Sequence, residues 1–237
     1  RALGSFAQET ADERGITREA MDAFAVESLT RAKRAIEEGA LKDEIVPVTV
    51  KTRRGENIVE DDEQPHKADL ERIPKLRPAF AKGGPITAAN ASSISDGASA
   101  LLLMSGEQAE KRGLEPMARI VAHARHSRAP AEFTIAPIGA IRTLLDKTGW
   151  TLEDVDLFEI NEAFAMVTML AIQDLGLDHA KVNIHGGACA QGHPIGSTGS
   201  RIMVSLMYAL QQQGKKRGVA ALCIGGGEAT AVGIVLI

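Results

Sequence analysis

Apolar residues recur at helical spacing over residues 17–38, where Met21, Phe24, Ala25, Leu29, Ala32 and Ile36 fall on one stripe. Thr17 stands where an N-cap belongs and Gly39 where a helix stops, so the pattern predicts an amphipathic helix. From 42 to 78 the apolar runs shorten and are broken by Glu60-Asp61-Asp62-Glu63 and by Pro65, Pro74 and Pro78, which predicts an excursion of loops and short strands. After Gly84 the texture changes. Residues 98–104 form a continuous apolar run of strand length, and Ser105 to Gln108 has capping-box spacing ahead of a short helix that ends near Gly113. Further along, 118–124 reads as a strand, 137–147 as a helix, 157–160 as a strand and 162–175 as a helix carrying Phe164, Val167, Met169, Leu170 and Ile172. A Gly-rich loop over 185–199 leads into a helix over 200–213. Strands at 219–224 and 229–237 then flank Gly225-Gly226-Gly227 and can pair antiparallel. The alternation of strands and helices predicts an α/β layered protein with helices against a mixed sheet.

Composition narrows the class. The chain of 237 residues is 44% hydrophobic and 24% charged, enough apolar material for one large core or two modest ones. With 27 basic against 31 acidic residues the net charge is −4, so no global field points to nucleic acid, and an anionic ligand needs local groups to hold it. No apolar run approaches the roughly 20 residues of a membrane span, and residues 1–11 do not read as a signal or transit peptide. Two cysteines, Cys189 and Cys223, are too few for a disulfide framework and read as reduced thiols in a cytoplasmic setting. The chain starts without methionine, which points to a fragment or a processed product.

Three clusters place reactive side chains beside glycine. In His185-Gly186-Gly187-Ala188-Cys189-Ala190-Gln191-Gly192-His193-Pro194-Ile195-Gly196 the glycines permit close backbone approach, and Pro194 restricts His193. Such a histidine suits action at a defined point, although the glycines also serve simply to turn a strand into a helix beside a solvated His193. Cys223 ends an apolar strand just ahead of three glycines. It reads either as a small buried hydrophobe or as a thiol beside an oxyanion site, and the open backbone favours the second. Asn161-Glu162 sits between an apolar strand and an apolar helix, where Asn161 also fits an ordinary N-cap. His185, Cys189, His193 and Cys223 form a nominal Cys2His2 zinc set, but ligands four apart share a face only in a helix, which the glycines and Pro194 disfavour. The expectation is therefore no metal.

Asn161-Glu162-Ala163-Phe164-Ala165, then Gly186-Gly187-Ala188 with Gly192-His193-Pro194-Ile195-Gly196, then Cys223-Ile224-Gly225-Gly226-Gly227 resemble the thiolases in order and spacing. Upstream, Lys75-Leu76-Arg77-Pro78-Ala79-Phe80, Thr87-Ala88-Ala89-Asn90-Ala91-Ser92 and Asp96-Gly97-Ala98 match as well. The resemblance implies a thiolase fold, layered α-β-α-β-α with mixed five-stranded sheets. It implies acyl transfer between acyl-CoA and CoA or acetyl-CoA through an acylated cysteine. His193 would activate that nucleophile and help hold the thioester oxygen, with Asn161 positioning a water for the same oxygen. Cys223 would move the proton at the α-carbon, in a site expected to favour its thiolate, and the Gly225 N–H would serve the second oxyanion hole. Leu76, Phe80, Ala88, Ser92 and Phe164 match positions lining the pantetheine channel. Coenzyme A is thus a substrate, no cofactor is implied, and a homodimer or homotetramer is expected.

Thiolases carry their nucleophile in the first of two similar halves, and neither Cys189 nor Cys223 fits that role. The expectation is that the chain lacks the first half. Residues 1–115 would then be the loop domain over the active site with the closing strand and helix of that half, and 116–237 the complete C-terminal domain. Two rivals remain: a ketoacyl-synthase-like condensing enzyme, disfavoured by Cys223 where a histidine is expected, and a non-catalytic acyl-CoA-binding or assembly subunit.

Overall fold

The computed structural model describes residues 2–237. Helices α1 (Leu3–Glu13) and α2 (Arg18–Glu37) lead into a hairpin of β1 (Val48–Thr52) and β2 (Gly55–Val59), followed by the short helices α3 (Glu63–Lys67) and α4 (Gly106–Lys111). Strand β3 (Ala118–Ser127), helix α5 (Ala136–Thr148), strand β4 (Leu157–Ile160) and helices α6 (Ala165–Leu175) and α7 (Ala188–Gln191) come next. Helix α8 (Thr198–Gln212) and strands β5 (Arg217–Cys223) and β6 (Glu228–Leu236) complete the chain.

Local chemistry explains where the helices begin and end. Thr17 Oγ1 accepts the Ala20 N–H at 3.2 Å and starts α2, as its sequence position predicts, and Gly39 lies at φ +72 beyond the last turn. Ser105 Oγ accepts the Gln108 N–H at 3.3 Å and opens α4. α1 has no side-chain cap and was not anticipated from the apolar pattern, because Ala7 and Ala11, its buried face, carry little periodic signal.

The main sheet has the order β3-β6-β5-β4, with β4 parallel to β5 and the other pairs antiparallel. Side chains alternate across it. Phe158, Ile160, Val219, Ala221, Ala229 and Ala231 pack on the face covered by α5 and α6, while Leu157, Ala220 and Ile234 pack on the face covered by α8. The result is an α-β-α sandwich around one four-stranded sheet, which corrects the expected five-stranded sheet. The run at 98–104 is a second departure from the sequence reading. It adopts no strand, and Leu102 and Leu103 stand 81% and 66% exposed along a groove with Leu114, Met117 and Met203. Apolar continuity makes a segment fit for a sheet, but a strand exists only where a partner satisfies its backbone, and no described strand runs beside this one.

Glu159 of β4 is 4% exposed in the middle of this sandwich. Burial pushes its carboxyl up to about 8, opposed by the charge of Arg201 and reinforced by Glu44 and Glu162. Its folded value thus lies above its ordinary 4.5, so the folded state holds the extra proton between those limits and stability falls as pH rises through them. Urea unfolding at a series of pH values should show stability declining from about pH 5 to about pH 8 by an amount on the order of a few kcal/mol. Glu159→Gln should flatten that slope, and an unchanged slope contradicts the assignment.

Candidate active site

Parallel pairing of β4 with β5 brings their carboxyl ends to one edge of the sheet, the edge where open α/β sheets bind ligands. β4 ends at Ile160, and the Asn161 N–H donates to Ala221 O at 2.9 Å, so Asn161 follows β4 beside the last residues of β5. Cys223 closes β5 opposite Ala229. Asn161 is 2% exposed, and neither its Oδ1 nor its Nδ2 meets a protein partner. A buried carboxamide left so costs about 1–3 kcal/mol, so Asn161 is arranged for a water or a ligand and not for packing. This geometry also removes the N-cap alternative, because α6 starts at Ala165 with Phe164 at its N-cap position.

The Gly-rich turn after Cys223 closes through Ile224 N–H to Glu228 O at 2.7 Å and Gly227 N–H to Ile224 O at 3.1 Å, bonds that do not use the Gly225 N–H. Gly227 lies at φ +99, and a Cβ there would meet the carbonyl oxygens of Arg128 and Ala129, so only glycine fits. The Cys223 thiol is buried, and desolvation pushes it up to about 12. Desolvation thus favours the neutral thiol, the form that donates a proton, where the sequence led to the expectation of a thiolate.

His193 arrives from a different element and is tied to the same edge by one strap. Along residues 91–94, Ala91 bridges Phe164, the Ser92 N–H and Oγ donate to Ala163 O at 3.1 and 3.0 Å, and Ser93 O accepts the His193 N–H at 2.9 Å. The turn that bears Asn161 and the loop that bears His193 are thus joined through two consecutive serines. The imidazole is half-buried, its Nδ1 lies 2.6 Å from Thr198 Oγ1, and burial together with the charge of Arg201 lowers its pKa. His193 is accordingly neutral near pH 7.

The loop ahead of His193 is fixed from beneath by Glu162. Its carboxylate accepts Ser28 Oγ at 2.8 Å from α2, Asn183 Nδ2 at 2.9 Å and the Cys189 N–H at 3.0 Å. Ser28 Oγ in turn accepts the Gly187 N–H at 2.9 Å. Asn183, at φ +48, also exchanges two 2.8 Å bonds with the backbone of Ile160. A Cβ on Gly187 would overlap the Glu162 carboxylate. Sequence reasoning named Glu162 only as the neighbour of Asn161 in a polar pair, without a role, and did not single out Ser28 or Asn183.

The remaining candidates separate into groups. Leu76 and Ala88 line one cleft of about 400 Å³ with Lys67, Arg72 and Cys189. Phe80 and Phe164 meet edge-to-face at 6.2 Å outside that lining, Phe164 also meeting Phe133, and Ser92 is engaged with Ala163. Cys189 is packing: burial and the Glu162 charge raise its thiol well above the ordinary value. The zinc alternative finds no support, since no three His, Cys, Asp or Glu side chains among the described residues converge to hold an ion. No helix among them is long and apolar enough to cross a membrane.

Comparison with known proteins gives two family matches: "Thiolase, N-terminal domain" over residues 1–107 and "Thiolase, C-terminal domain" over residues 114–236. An acetyl-CoA acetyltransferase of Syntrophomonas wolfei is 48% identical over 232 residues, covering 97% of this chain and 59% of the relative. The Bacillus anthracis acetyl-CoA acetyltransferase crystal structure superposes with a TM-score of 0.96 at 44% identity, covering 99% of this chain and 60% of that one. An Ascaris suum thiolase solved with coenzyme A gives 0.90 at 39% identity, over 100% and 60%. The chain thus spans about 59% of the length of the Syntrophomonas relative. The match over 1–107 overturns the expectation that the first half is lacking: N-terminal-domain sequence fills the chain ahead of β3. The error lay in equating that half with its nucleophile.

Glu162→Ala should lower the unfolding free energy by about 2–4 kcal/mol, because it strands three buried donors at once. Urea denaturation checks this, and a loss within about 0.5 kcal/mol, the range of an ordinary surface change, contradicts the role given to the carboxylate.

Proposed function

The chain belongs to the thiolase family, and on that premise we propose that the protein carrying it transfers acyl groups between acyl-CoA and CoA or acetyl-CoA. The observation that carries this reading is the partnerless Asn161 carboxamide, buried at the strand edge it shares with Cys223 and strapped to the His193 loop. Relatives named acetyl-CoA acetyltransferase support the same chemistry.

In thiolytic cleavage a cysteine thiolate adds to the ketone carbon of a 3-ketoacyl-CoA. The bond between the α- and β-carbons then breaks with its electron pair moving to the acetyl-CoA enolate, and CoA releases the acyl group from the cysteine in a second step. Neutral His193 takes the proton of the attacking thiol and afterwards donates to the thioester oxygen. Asn161 holds a water against that oxygen. The neutral thiol of Cys223 protonates the departing α-carbon, and the Gly225 N–H meets the charge that grows on the second oxygen. Cys223 is taken by the proton-transfer role and Cys189 packs against Glu162, so we place the nucleophilic cysteine outside residues 1–237 and expect no turnover from these residues alone.

The cleft with Leu76 and Ala88 suits the pantetheine arm, and Lys67 and Arg72 at its lining suit a CoA phosphate. Phe80, Ser92 and Phe164 then border the approach to the thioester. We keep the domain division at 115/116 and expect a homo-oligomer in the cytoplasm. In the full encoded protein, His193→Ala and Cys223→Ser should each lower kcat for acetoacetyl-CoA cleavage by about 10²–10⁴-fold. A Cys223→Ser protein of undiminished activity contradicts the assignment.

A further inference from the structure

We propose that Thr198 is a positioning residue that selects the tautomer of His193, holding the proton on Nδ1 so that Nε2 presents a bare lone pair to the reacting thiol. The inference rests on the acyl-transfer reading for its consequence, but not for its geometry. His193 Nδ1 and Thr198 Oγ1 are 2.6 Å apart, and Thr198 Oγ1 is 3.0 Å from Pro194 O. Thr198 has one hydroxyl proton and two neighbours within hydrogen-bond distance, so only two arrangements are open.

If the hydroxyl donated to Nδ1, no proton would lie between Thr198 Oγ1 and Pro194 O, and two lone-pair-bearing oxygens would face one another at 3.0 Å. If it donates to Pro194 O, both short contacts are attractive: the carbonyl accepts the hydroxyl, and the hydroxyl oxygen accepts Nδ1–H. The second arrangement is therefore the stable one. Bonding of a threonine hydroxyl to the carbonyl four residues earlier is also an ordinary habit of the residue in a helix, and here it occurs at the first residue of α8.

Thr198 is fully buried, so water offers its oxygen no competing partner. Pro194 O accepts the N–H groups of Ser197 and Thr198 as well, each at 2.8 Å, which fixes the carbonyl against the start of the helix. The imidazole is thus referenced to α8 through the hydroxyl, while its backbone is referenced to Ser93. Two independent anchors, one on each side of the residue, set both the ring's orientation and which nitrogen is free. A histidine that is neutral at working pH acts as a base only through its unprotonated nitrogen, so tautomer choice decides whether Nε2 can accept the thiol proton.

The test is nitrogen NMR of the full encoded protein labelled with 15N-histidine, at a pH well above the ordinary histidine value, with the His193 signals assigned by their loss in His193→Gln. The wild type should show a protonated Nδ1 and an unprotonated Nε2. The nearly isosteric Thr198→Val should lose that preference, and Thr198→Ser should keep it. The signals of His123 and His126, both on β3, should stay in place in both variants and so report an intact fold. In acetoacetyl-CoA cleavage Thr198→Val should lower kcat/KM by about tenfold or more, with recovery in Thr198→Ser. A wild-type Nε2–H tautomer, or a Thr198→Val spectrum like that of the wild type, overturns the proposal. The expected tautomer pattern in a protein that cleaves no acyl-CoA would instead count against the acyl-transfer reading alone.

Discussion

A single buried carboxylate organises this molecule. Glu162 is completely enclosed, and desolvation raises its carboxyl above the ordinary value against three hydrogen bonds that lower it. A polar group so buried is tolerable only with its oxygens satisfied, which donors from three chain segments accomplish within 3.0 Å. The consequences spread along the sequence in both directions. One residue earlier, Asn161 is left facing the strand edge with nothing of the protein to bond. On the other side, the bond to the Cys189 N–H sets the short helix α7, whose end at Gly192, φ +87, launches His193. α2 is drawn in through Ser28, so a helix from the first third of the chain floors a site built from the last third. Replacing the carboxylate removes the acceptor that these donors share.

The electrostatic character of the site follows from the same enclosure. Burial keeps His193 and Cys223 neutral, lowering the first and raising the second. A neutral base and a neutral acid at one edge of a sheet suit a reaction that must both take and give a proton near pH 7, where a fixed ion pair would commit each group to one state. The charge of Arg201 bears on His193, Glu159 and Glu162 at once, lowering the pKa of each. Among the described residues no cation shifts the Cys223 thiol toward thiolate, and desolvation favours its protonated form.

Much of the framework was legible in the sequence. The stripe from Met21 to Ile36, the cap at Thr17, the buried strand 157–160 and the hairpin around Gly225-Gly226-Gly227 all follow from periodicity and turn chemistry, which act locally. What depends on a partner was not legible. Residues 98–104 have the composition of a strand and lack a described strand beside them. Of the site, His193, Cys223 and Asn161 could be named from residue type beside glycine. The part played by Glu162 could not, nor could Ser28, Asn183 and Thr198 be named, because each acts through hydrogen bonds to positions remote in sequence or through a tautomer that no motif spells. The protonation of Cys223 is likewise not written in its motif: neighbouring glycines reveal backbone access, whereas burial in three dimensions bears on the thiol.

The central claim is that Asn161, His193 and Cys223 converge on one thioester. A crystal structure of the full encoded protein with acetyl-CoA bound tests it most directly. The account predicts the thioester oxygen within hydrogen-bond reach of the His193 imidazole and of a water held by the Asn161 carboxamide, with the acetyl methyl facing Cys223 Sγ. An acetyl group lodged elsewhere, with Asn161 turned to bond protein groups, contradicts it.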